Sequence, residues 1–179
     1  MAHINVPEGV PGIRSLVLFR PETGQPLYEL AQALLRNPST LSEADRELIA
    51  SYVSSKNDCQ FCMNSHAAVA RYLYQDEKEI VDFVLEDYRN APISEKLKAL
   101  LGIAGKVQED ARTVSAEDIA LAKKEGASEQ EIHDTVLIAA SFCMFNRYVD
   151  GLASFTPTEP EAYEAMAERM ASGYNLPKL

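Results

Sequence analysis

Apolar residues in this chain recur at helical rather than strand spacing. Leu27, Leu30, Ala31, Leu34 and Leu35 fall at i, i+3, i+4, i+7 and i+8, which predicts a helix from Pro26 that Asn37-Pro38 ends. Ser42 opens a second helix, its hydroxyl placed to cap the amide of Asp45, with Leu48, Ile49, Tyr52 and Val53 on the core face. Beside that face Ala44, Glu47 and Ser51 form a row of small residues around one carboxylate, which lets a neighbouring helix approach closely. Further helices are predicted over 58–74, over 76–87 (Ile80, Phe83, Val84), and from Ser94 through Val107. Capping boxes at Ser115–Asp118 and Ser128–Glu131 start two more, the second running over about 129–151, and a last helix covers 159–171. No segment alternates like a strand, so the chain reads as all-α.

The first 25 residues look different. Pro7, Pro11, Gly12, Pro21 and Gly24 punctuate them, so an irregular N-terminal arm is expected, with Ser15 to Phe19 as a short strand or docked turn. One domain over 1–179 is expected, with its core at about 26–155 and a C-terminal extension at 156–179.

Charge narrows the partners. A net charge of −10 leaves no basic stripe to neutralise phosphates, so neither nucleic acid nor an anionic membrane surface is expected. No run of about 18 apolar residues predicts a membrane span, and residues 1–7 lack the basic-then-apolar order of a secretion signal. Three cysteines, two of them in a C-x-x-C, suit a catalytic pair in a reducing cytoplasm better than a secreted disulfide scaffold.

That pair is the strongest chemical signal. In Cys59-Gln60-Phe61-Cys62-Met63-Asn64-Ser65-His66, a helix capped by Asn57 or Asp58 puts Cys59, Cys62 and His66 at i, i+3 and i+7 on one side. Val69 and Leu73 continue that seam. Cys59 then lies in the first turn, where exposed amides favour a thiolate, and His66 is one turn from Cys62, able to take its proton. Glu47 supplies a third member that orients or protonates His66. Three other readings stand beside this one. They are a zinc site completed by Cys143, His133 or Glu47, two inert core cysteines, and a disulfide that only switches an interface. A thioredoxin-like site fits poorly, because that motif belongs in a βαβ context.

Glu47, Cys59-x-x-Cys62 and His66 at these separations resemble the signature of the alkylhydroperoxidase D-like, carboxymuconolactone decarboxylase-like superfamily. Asn57 to Cys62 and the distal Phe145-Asn146-Arg147-Tyr148-Val149-Asp150-Gly151 resemble its peroxidase-related branch, and the likeness spans about residues 12–155. The resemblance implies an all-helical bundle and thiol peroxidase chemistry. Cys62 would be attacked by a small peroxide, Cys59 would resolve it, and His66 with Glu47 would relay protons. It also implies a homo-oligomer, which the wide apolar faces around Phe142, Met144 and Phe145 suggest independently. The best-studied branch has a histidine between the cysteines where this chain has Phe61, so the relay here is shorter or uses water. The decarboxylase branch lacks the cysteine pair. No nucleotide or flavin motif is visible, so no cofactor is expected and the electrons come from a reducing protein or small dithiol.

For the distal segment, Arg147 and Asp150 at i, i+3 are placed to pair, and Asn146 or Arg147 either locks helices together or borders the cysteine pocket. Cys143 is expected to pack as a small apolar residue and His133 to lie on the surface.

Overall fold

The serines that begin helices in the sequence do so in the computed structural model, which describes residues 2–175. Ser42, Ser94, Ser115 and Ser128 each accept a hydrogen bond from the amide three residues on, and the last two complete reciprocal capping boxes. The α-helices are α1 (Ile13–Phe19), α2 (Pro21–Arg36), α3 (Glu43–Lys56), α4 (Gln60–Tyr74) and α5 (Ile80–Asp87). They continue with α6 (Glu95–Asp110), α7 (Ala116–Lys124), α8 (Glu129–Gly151) and α9 (Pro160–Ala171), and no strand occurs among the described residues.

The N-terminal region is more ordered than its prolines suggest. Ser15 to Phe19 is helical, neither strand nor turn, because Leu16 and Val17 bury completely and Ser15 bonds back to the Gly12 carbonyl at 2.8 Å. Four consecutive apolar residues after Ser15 are too few to reveal a helical period. Helix α2 begins at Pro21, where a missing amide costs nothing. It continues through Pro26, whose lost bond frees the Glu22 carbonyl on the exposed side of the helix. Residues 2–12 are irregular and lie against the α8–α9 connection, with His3 N–H donating to Leu152 O and Gly12 N–H to Phe155 O.

Helix α3 is the hub. It packs on α4, α8, α6, α2 and α5, and its face of Leu48, Ile49 and Val53 is fully buried in the main core. The row Ala44, Glu47, Ser51 lies buried along α3, and the Ser51 hydroxyl donates to Met63 O of α4 at 3.0 Å. A second, smaller core holds Cys59, Phe61, Cys62 and Val69 against Val149 of α8 and Tyr163 and Ala167 of α9. The cysteine motif therefore sits under α9, which the sequence presents as a peripheral extension.

Candidate active site

A three-residue turn, Asn57-Asp58-Cys59, joins α3 to α4, and its tightness comes from Asp58 in the left-handed region at φ 56°. Asp is among the few residues that tolerate that conformation. Neither Asn57 nor Asp58 caps α4. Cys59 holds the capping position without a side-chain bond, so Cys62 rather than Cys59 lies in the first helical turn. Both thiols are free and buried, at 0% and 3% exposure, which leaves attack possible only from within the protein.

The two cysteines adjoin, as the spacing predicts. The neighbouring Cys59 and burial push the Cys62 thiol well above its ordinary range, and the nearby Asn146 side-chain amide opposes them in part. At neutral pH Cys62 is therefore a thiol, and its proton must leave as it reacts. Cys62 lines a cavity of about 60 Å³ together with Ser65, His66, Phe61, Phe142 and Tyr174. A water needs roughly 10–15 Å³ on this measure, so the space holds a few waters or a small ligand.

Glu47 and His66 meet as predicted. The His66 Nδ1 lies 2.5 Å from Glu47 Oε2, and the ring packs edge-on against Phe142. Burial alone would raise the Glu47 carboxyl, but His66, Arg36 and Tyr174 together hold it below the usual range, so it is a carboxylate. A carboxylate accepts only, which makes Nδ1 the protonated nitrogen and leaves Nε2 as the basic one. Among the described residues no direct hydrogen bond joins His66 to Cys62, and the two groups share the cavity instead.

Two members of this centre have no signal in the sequence. Arg36, at the end of α2, donates to Glu47 Oε1 at 2.6 Å. It also donates to the carbonyls of Met170 and Ala171 in the last turn of α9. Tyr174, beyond α9, donates its hydroxyl to the same Glu47 oxygen at 2.6 Å, stacks near His66 and lies under the Arg36 guanidinium. Arg36 reads as an ordinary last-turn cation, and Tyr174 sits outside any periodic pattern.

The distal segment splits. Asn146 is buried, receives a bond from Asn57 (2.8 Å), donates to Ser54 (3.0 Å) and touches Cys62, so it both locks α3 to α8 and borders the thiols. Arg147 and Asp150 are exposed, and no ion pair joins them among the described residues, because Arg147 bonds the Cys143 carbonyl instead. Cys143 is half-buried with its sulfur 3.5 Å from the Asn57 amide, and His133 is exposed beside Asp134. Among the described residues no three His, Cys, Asp or Glu side chains converge as a metal site would need. Nor is any described helix long and apolar enough to cross a membrane.

Comparison with known proteins bears on the fold and on one segment of the chain. Residues 21–87, which contain Arg36, Glu47, Cys59, Cys62 and His66, match the carboxymuconolactone decarboxylase family. Among solved structures, an uncharacterized peroxidase-related protein from Silicibacter sp. TM1040 is 26% identical at a TM-score of 0.78, covering 87% of this chain and 79% of that one. An uncharacterized peroxidase-related protein from Ralstonia eutropha JMP134, described as an alkylhydroperoxidase AhpD core, is 22% identical at a TM-score of 0.82, covering 93% and 96%. A protein of unknown function from Agrobacterium tumefaciens shares the fold at 22% identity and a TM-score of 0.69, covering 89% and 100%. No curated protein matches the chain significantly.

Proposed function

We propose that this chain, a member of the alkylhydroperoxidase D-like, carboxymuconolactone decarboxylase-like superfamily by its fold and its matched segment, is a thiol-dependent peroxidase with an antioxidant role. The observation that carries this reading is a division of labour between the thiols. Cys62 lines the cavity with His66, whereas the adjoining Cys59 does not.

Cys62 sulfur attacks the terminal peroxide oxygen, the O–O bond breaks, and the alcohol or water leaves as Cys62 becomes a sulfenic acid. The thiol proton is needed on the departing oxygen. His66 Nε2, with Nδ1 held by Glu47, accepts it from sulfur and returns it to that oxygen, through the peroxide itself or one water. This relay carries no net charge, which suits a cysteine whose burial disfavours a resting thiolate. It also dispenses with a second histidine at Phe61. Cys59 thiol then displaces water from the Cys62 sulfenic acid to close the disulfide. An external dithiol, from a reducing protein or a small molecule, restores both thiols with its own oxidation and no bound cofactor. The reducing cytoplasm is the compartment that sustains this cycle. The exposed Phe155, Met144 and Leu137 support assembly as a homo-oligomer.

Peroxide consumption by the pre-reduced protein tests the assignment. Loss of activity in Cys62→Ser and a single stalled oxidation in Cys59→Ser are expected, and undiminished turnover in Cys62→Ser contradicts it. The raised Cys62 thiol favours one second reading, a dithiol sensor that oxidises slowly and once. Repeated turnover with a recycling dithiol separates an enzyme from that sensor.

A further inference from the structure

The cavity that exposes Cys62 carries cationic groups that the peroxide cycle does not use. Arg14, from α1, and Arg169, from α9, both line it. Neither makes an ion pair among the described residues, in a protein whose net charge is −10 and whose other arginines mostly have carboxylate or carbonyl partners. The Arg14 Nε is buried with no hydrogen-bond partner among those residues, and so is the hydroxyl of Ser65, a residue only 2% exposed on the cavity wall next to His66. A buried guanidinium nitrogen without an acceptor costs free energy that a bound anion recovers. Between these groups the lining is apolar, from Leu27, Phe145 and Met166. Tyr28, also on the wall, feels both arginines, which places their positive fields in one region.

We propose that the oxidant taken by this site is a short organic hydroperoxide bearing a carboxylate, with Arg14 and Arg169 holding the carboxylate and Ser65 donating to the peroxide end. The inference rests on the peroxidase reading for the word hydroperoxide, and on the cavity alone for the carboxylate. Arginine suits this task because its fork of donors matches a carboxylate's two oxygens. The cavity, about 60 Å³, restricts what lies beside Cys62 to the peroxide and a short apolar chain, with the carboxylate toward the exposed Arg169. Hydrogen peroxide lacks both the chain and the charge, and would leave the arginines unused.

Redox-inert analogues test the ligand class without turnover. Calorimetric titration of the reduced protein with butanoate and with butanamide compares one charge on one shape. Butanoate is expected to bind about tenfold tighter or more, the range of a hydrogen bond to a charged group, and to slow alkylation of Cys62 where butanamide does not. In the Arg14→Gln/Arg169→Gln double variant the preference should fall to about threefold or less, and the Arg14→Lys/Arg169→Lys pair should restore part of it. Equal binding of the two analogues by the wild type, or binding of neither, overturns the proposal even where hydrogen peroxide is consumed. So does a preference that survives in the glutamine variant, because the carboxylate is then held elsewhere. A tenfold preference in a protein that turns over no peroxide upholds the carboxylate site and defeats the peroxidase reading, so the two failures are distinct.

Discussion

At the scale of residues, Glu47 organises the centre through three donors on its two oxygens, Arg36, Tyr174 and His66. Removing the Tyr174 hydroxyl in Tyr174→Phe deletes one of them without opening a hole. The expected cost is about 1–3 kcal/mol, the range for a hydrogen bond to a charged group, measured by urea unfolding. Peroxide turnover should fall as well, because His66 is then held less firmly. Unchanged stability together with unchanged turnover would mean that Tyr174 merely touches the site. Glu47 also sets an acid limit. Burial opposes its ionisation, yet its partners win and its carboxyl lies below the ordinary 4.5. The folded state thus binds fewer protons than the unfolded one, so this stabilisation is present above about pH 4.5 and is lost as pH falls through the lowered value. The reduced Cys62 behaves oppositely. Its raised pKa contributes stability below the ordinary 9.0 that is lost as pH rises above it. Thermal midpoints across pH, with Glu47→Gln and Cys62→Ser alongside, are expected to flatten the acid and alkaline limbs respectively.

Among the elements, the short N-terminal pieces matter through their glycines. Gly12 has φ 54°, and a Cβ there would overlap the ring of Phe61, which lines the cavity. Gly12→Ala combines left-handed strain with overpacking, so a loss of about 2–4 kcal/mol in chemical denaturation is expected, with a changed rate of Cys62 alkylation as Phe61 shifts. Helix capping is a more local matter. Ser42→Ala removes the acceptor for the Asp45 amide and should cost about 1 kcal/mol, with little effect on the thiols one helix away. A larger loss would show that the start of α3 governs the position of Glu47.

Over the whole molecule, α9 closes the cysteine cluster, and Arg36 ties the end of α9 to α2 and α3. Deleting residues 156–179 is therefore expected to expose Cys59 and Cys62, raising their alkylation rate at least tenfold. An unchanged rate would show that α9 does not shield them. The exposed apolar residues Phe19, Phe83, Leu137, Met144 and Phe155 belong to several elements of one chain. A homo-oligomer predicts a solution mass that is a multiple of 19.8 kDa in light scattering, and a monomer at micromolar concentration would remove that expectation.

Most of the helices, and the chemistry within one of them, follow from local sequence. Apolar spacing and serine caps are local, set by bonds that span three or four residues, so α3, α6, α7 and α8 were legible together with the run from Cys59 to His66. Glu47 was legible too, because a lone carboxylate in a row of small residues on one helix face is already unusual. Packing, not local pattern, makes α1 a helix, turns Arg147 away from Asp150, and brings Arg36 and Tyr174 to the Glu47 centre. Tyr174 lies 127 positions from Glu47 in the chain. Partners so distant are chosen by which buried donors still lack an acceptor once the helices have packed, and no periodicity carries that information.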